Sequence, residues 1–164
     1  MKVKKFFKGL LIGAAALTTA YLTYTAKKGH DFEESIEKVP ETLDECAIGV
    51  KKQITVPAVP MRDMKIGTFF STMDIDLSQV IAKEGQYDMD IEVRNATLCI
   101  TLPENFRLNL TNTSILSSIY DDTSSETGDD TVTLSVFAKV YNGGLCFKYP
   151  SATDLSEAVV SMVH

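Results

Sequence analysis

Apolar and polar positions alternate through most of the chain beyond residue 50. Tyr87, Met89, Ile91 and Val93 alternate with Asp88, Asp90, Glu92 and Arg94. Leu98, Ile100 and Leu102 alternate with Cys99 and Thr101, and Phe106, Leu108 and Leu110 with Arg107, Asn109 and Thr111. A period of two puts one set of side chains on a buried face and the other toward water, so each stretch predicts a half-buried strand. Ile66, Phe70, Ile75 and Leu77 mark earlier strands. Ile115–Tyr120, then Val132 to Val140, then Leu145, Phe147 and Tyr149 continue the series. Lys51–Pro57 reads as the first strand, closed off by Pro57 and Pro60, which have no N–H for a sheet ladder. Asp121–Asp130, rich in Asp, Ser, Thr and Gly, predicts an exposed loop.

Within this pattern a longer stretch recurs. Val93–Pro103 reads V-R-N-A-T-L-C-I-T-L-P and Val140–Pro150 reads V-Y-N-G-G-L-C-F-K-Y-P, at an offset of 47 residues. A degraded copy spans Leu110–Leu116 and a fainter one Phe70–Asp76. Asn95 in the first copy, and Asn142, Gly143 and Gly144 in the second, supply turn residues that tolerate positive φ. Such strand–turn–strand units cannot bury an apolar face alone, but stacked they share a continuous core. The expected fold is mainly β: a short β-roll or right-handed β-helix-like stack over residues 51–150, with a two-sheet β-sandwich as the alternative. Ser151 followed by Asp154 resembles a capping box, and Leu155, Ala158, Val159, Met162 and Val163 share one helical face. A C-terminal helix over 151–164 is expected to cover the open end of the stack.

The N-terminus follows a different pattern. Lys2, Lys4, Lys5 and Lys8 precede an apolar run from Leu10 to Ala26, closed by Lys27 and Lys28. Counted from Phe6, the segment reaches about 31 Å as a helix, against a hydrocarbon core of ~30 Å. Residues 1–28 therefore predict an uncleaved single-pass membrane anchor carried by Leu10, Leu11, Ile12, Leu17, Tyr21 and Leu22, the bilayer being its partner. The competing readings are a cleaved signal peptide, with Thr18-x-Ala20 as the cut, and a surface-lying helix. Four lysines before the run against two after it favour the domain outside, whereas three unpaired cysteines lean toward a cytoplasm-facing domain. Residues 29–50 read as an acidic, solvated linker with one short helix, Phe32, Ile36 and Val39 sharing a face before Pro40.

Charge and chemistry narrow the function further. A net charge of −6 lacks the basic footprint of a nucleic-acid binder. The only histidines, His30 and His164, stand away from any serine or cysteine that could form a triad, and no P-loop, GxGxxG or HExxH occurs. Asp74 and Asp76 share one strand face and Asp88, Asp90 and Glu92 another, without the ligand order of an EF-hand or calcium β-roll. No catalytic, cofactor or metal residue is expected. Cys99 and Cys146 occupy equivalent repeat positions, so a bridge between them requires their rungs to be adjacent; an intervening rung would put them out of reach.

Gly67–Ser78, with the run Met73-Asp74-Ile75-Asp76-Leu77-Ser78, and Asp90–Val93 followed by Leu98–Pro103 and Glu104–Leu110 carry a resemblance. Ile66–Pro150 resembles bacterial adhesin-type β-repeat domains, and the C-terminal domain of membrane proteins of the cell-wall-active-antibiotic response. Gly143-Gly144 conforms to the turn of that family, while Asn95-Ala96 departs from it. The resemblance implies a β-solenoid-like fold and, for the antibiotic-response branch, a membrane-associated regulatory role; it brings no catalytic residues. The expectation is a membrane-anchored, non-catalytic binding or scaffolding protein of the bacterial cell envelope with a membrane or envelope protein partner. An accessory regulator of envelope stress is one alternative, and a secreted enzyme or carbohydrate-binding module after signal cleavage is another.

Overall fold

Residues 2–36, 43–83, 85–123 and 132–150 are described by the computed structural model, with side chains from Leu17 onward. The expected C-terminal helix over 151–164 lies outside them. Among the described residues one helix, α1 (Lys2–Ser35), precedes ten strands. These are β1 (Glu45–Ile48), β2 (Lys51–Thr55), β3 (Met64–Phe69), β4 (Thr72–Asp76), β5 (Gln86–Arg94), β6 (Thr97–Thr101), β7 (Phe106–Ile115), β8 (Ser118–Asp122), β9 (Val132–Tyr141) and β10 (Gly144–Lys148).

Odd strands form one parallel sheet and even strands a second, so each strand–corner–strand unit is a rung with one strand in each sheet. The sheet orders are β1-β3-β5-β9-β7 and β2-β4-β6-β10-β8. All pairs are parallel and in register across both sheets, which corrects the sandwich alternative, whose sheets would be antiparallel.

The rungs do not stack in chain order. The fifth, β9–β10, lies between the third and the fourth. The step from the third rung to the fourth skips a level, and the step back to the fifth descends. Since all strands run parallel, the descending crossover has the opposite hand to the ascending ones, an uncommon arrangement. The fourth rung therefore has one neighbour in each sheet, the fifth.

Inward rows form the core. Met64, Met89, Val136 and Leu110 make one row of the first sheet; Met73, Leu98, Leu145 and Ile119 make one of the second. At the first rung the inward residues Glu45 and Lys52 pair with each other, a charged lid over Ile66 and Met73. Inward charges on a terminal rung discourage further strand addition. At the fourth rung Phe106 is buried, while Leu108, Leu110 and Ile119 are only half-buried.

Five corners join the sheets, each with a residue in the left-handed region at the equivalent place: Gly49, Phe70, Asn95, Leu116 and Asn142. The N–H groups of Gly49, Phe70, Asn95 and Asn142 continue the ladder into the corner, as from Phe70 N to Arg94 O at 3.0 Å and Asn142 N to Ile115 O at 2.9 Å. Phe70 is therefore a corner residue and not an inward apolar mark. The degraded copy is displaced as well: its corner is Leu116, and Asn112 lies within β7. Gly143 and Gly144 do not take positive φ. Gly143 is required for close approach, since a Cβ there would lie 2.3 Å from the Ala96 carbonyl oxygen.

The elements do not end at the expected boundaries of 1–28 and 29–50. α1 runs without a break to Ser35, and β1 and the start of the stack fall inside the expected linker. The helix continues because its last part is packed on the first sheet. Gly29 sits against Phe69, the Phe32 ring lies 5.8 Å from the Phe69 ring, and a Cβ on Gly67 would come within 2.4 Å of Phe32. Glycines on both surfaces let helix and sheet approach closely. Among the described residues no helix is long and apolar enough to cross a membrane, so the structure does not support the expected membrane helix.

Candidate functional site

The two sheets present different outer faces. On the first, the outward row Ile48–Phe69–Arg94–Tyr141–Ile115 meets α1 at Ile48, Phe69 and Arg94, while Ile115 is exposed. Phe69 is outward-facing yet fully buried beneath the helix. Arg94 pairs with Glu92 and stacks over Tyr141 at 4.1 Å and Tyr24 at 5.7 Å. Asn95 joins corner to helix: its Oδ1 accepts from Tyr21 at 3.3 Å and from Asn142 Nδ2 at 2.6 Å, and its Nδ2 donates to Thr25 at 3.5 Å. Cys46, in the next outward row beside Gly67, has its thiol pushed up to about 11, first by burial and then by the Glu33 carboxylate.

On the second sheet three outward rows cross the rungs: Lys51–Thr72–Thr97–Gly144–Ser118, Gln53–Asp74–Cys99–Cys146–Tyr120 and Thr55–Asp76–Thr101–Lys148–Asp122. No described element packs on them. A groove of about 900 Å³ runs along the last two rows, bounded by the Ser78–Gln79 turn and the Pro103–Asn105 turn. Among the described residues Asp74, Asp76 and Glu104 line it with one cation, Lys148. Three carboxylates against one ammonium make its field negative, with Thr55, Thr101, Gln53 and Asn105 supplying neutral donors and acceptors.

Cys99 lines the groove without a base: His30 is on α1, 3.8 Å from Glu33, and His164 lies outside the described residues. Among the described residues no group of histidine, cysteine and carboxylate side chains could hold a metal ion.

The residues singled out from sequence fall in three places. Asn95 and Asn142 are brought together; Gly143 packs on Ala96; Gly144 opens β10 with space around it. Leu10, Leu11 and Ile12 lie in the backbone of α1. Leu17, at 75% exposure, Leu22 and Tyr21 lie on the described surface of α1. Sequence reading missed Gln53, Thr101 and Lys148 as neighbours of Asp74 and Asp76. The signal was present in part, because the 47-residue offset that aligns Cys99 with Cys146 also aligns Thr101 with Lys148. Comparison with protein-family models, with curated proteins and with solved structures finds no match.

Proposed function

We propose that the chain is a non-catalytic binding or scaffolding protein of the bacterial cell envelope, attached to the membrane through its N-terminal helix. It holds a partner protein in the groove on its second sheet. The observation that carries this reading is the difference between the faces: α1 packs on β1 and β3 of the first sheet, while the second, with no described element packed on it, exposes a polar groove of about 900 Å³. The carboxylates favour a partner segment that offers N–H donors and positive charge. Attachment is supported by the lysines before the apolar run and by the exposed Leu17, Tyr21, Leu22 and Tyr24 on α1. Docking of Thr25, Gly29 and Phe32 on the sheet favours a helix retained with the domain. The ascending rungs are read as a right-handed β-helix-like coil, the hand favoured for parallel crossovers.

The test is site-specific photo-crosslinking in intact cells from a photoreactive residue at Thr101, in the otherwise native full chain. Adducts with one envelope protein, lost on Asp74→Asn with Asp76→Asn, are expected. No adduct from Thr101, or one unaffected by the double substitution, would sink the groove reading. Sidedness is read with a membrane-impermeant maleimide on Thr111→Cys in a cysteine-free chain, since Thr111 is exposed and Cys46 is shielded by α1. Labelling before lysis is expected for a domain outside the cell.

A further inference from the structure

Cys99 and Cys146 are direct partners on neighbouring parallel strands, β6 and β10, with both side chains on the outer face of the second sheet. Paired strands lie ~4.8 Å apart, inside the ~4.4–6.8 Å separation of α-carbons that a disulfide spans. Both thiols are free and half-buried. Cys46, the third cysteine, lies on the outer face of the other sheet and cannot compete. The insertion of the fifth rung creates this adjacency. Had the rungs stacked in chain order, the fourth would separate the two thiols.

We infer that Cys99 and Cys146 are an oxidation site: a low-molecular-weight disulfide converts the pair to an intrachain cystine that rivets the inserted rung to the third. The Cys99 thiolate attacks one sulfur of the reagent and expels a thiolate, leaving a mixed disulfide on Cys99. Cys146 then loses its proton, attacks the Cys99 sulfur and expels the second reagent thiolate. One S–S bond forms and one breaks; two protein thiols are oxidised, and the reagent disulfide is reduced to two thiols. Burial pushes the Cys146 thiol up, so ring closure quickens as pH rises. The cystine encloses the whole fourth rung in a covalent loop. Because among the described residues that rung pairs only with the fifth, the bond holds both on the stack.

The experiment uses the purified full chain carrying Cys46→Ser, exposed to oxidised glutathione over a graded ratio with reduced glutathione. Free thiols should fall from two to none, no glutathione should remain on the protein, and one peptide pair should link residues 99 and 146. The melting temperature should rise, amide exchange across 106–122 should slow, and dithiothreitol should reverse both. Cys46→Ser with Cys146→Ser should keep one glutathione on Cys99 and show no rise. A stable glutathione adduct in the two-thiol chain, or a cystine between two chains, would overturn the site. A 99–146 cystine without slower exchange across 106–122 would overturn its role in holding the rungs.

Discussion

Asn142 donates from Nδ2 to Oδ1 of Asn95 at 2.6 Å, and both residues hold φ at 50°. The two asparagines are stacked corners of adjacent rungs, the left-handed conformation being tolerated by Asn far better than by β-branched residues. Asn142→Val loses the side-chain bond and places a β-branched residue at positive φ. The expected cost is about 2–4 kcal/mol, from strain of ~1–3 and a hydrogen bond of ~1. Asn142→Gly loses only the bond and should cost less. Thermal melts of both decide it; a valine variant that melts with the parent would remove the conformational requirement.

The adjacent glycines should behave differently. A Cβ on Gly143 meets the Ala96 carbonyl oxygen at 2.3 Å, a backbone atom that cannot rotate away, whereas Gly144 has nothing nearer than 3.7 Å. Gly143→Ala is expected to destabilise by about 1–3 kcal/mol and Gly144→Ala by well under that. Equal denaturant midpoints for the two would contradict the close packing of the corners.

Thr68 is the opposite case. It points inward in the row Ala47–Thr68–Val93–Val140–Ser114, and its hydroxyl is the described buried side-chain oxygen without a hydrogen-bond partner. Thr68→Val keeps the shape and removes the orphaned group, matching Val93 and Val140. Stability should rise by about 1–2 kcal/mol. A lowered melting temperature would show that the hydroxyl is satisfied in solution.

Stack order has its own signature. A chain ended after residue 131 lacks the fifth rung, and the fourth then has no sheet neighbour. Amide protection across 106–122 should disappear while that of 64–76 persists. If the fourth rung stayed protected, it would be pairing directly with the third, as in a stack built in chain order.

Cys46 reports whether α1 stays docked. Its thiol is held near 11 by burial and then by Glu33, against an ordinary 9.0, so the folded chain keeps this proton longer. The sign follows: its stabilising contribution is complete below pH 9 and is lost as pH rises through about 11. At pH 8, alkylation of Cys46 in the Cys99→Ser, Cys146→Ser chain should run on the order of 100-fold slower than in the unfolded chain, because thiolate is the nucleophile. Glu33→Gln should speed it. Equal rates folded and unfolded would mean that the helix does not shield this site.

The sequence by itself determined the inward rows of β5, β6, β9 and β10 and the approximate place of most strands, but it left β1 in the expected linker and took Phe70 as an inward mark. Period-two alternation is local, since successive side chains on an extended backbone point to opposite faces. The 47-residue offset therefore aligned Val93 with Val140 and Cys99 with Cys146, positions that the structure pairs directly. It could not name the level of each rung. Equivalent positions have the same pattern whether one rung or none lies between them, and only the strand pairing placed the fifth rung ahead of the fourth. Nor could it show that Phe69, outward by alternation, is buried, or that Gly29 and Gly67 are contacts and not breaks. Those outcomes depend on α1 returning to the first sheet, a long-range packing event that leaves no periodic trace. The exposed groove on the second sheet is the complement of that choice: α1 packs on β1 and β3 of the first sheet, and no described element packs on the second.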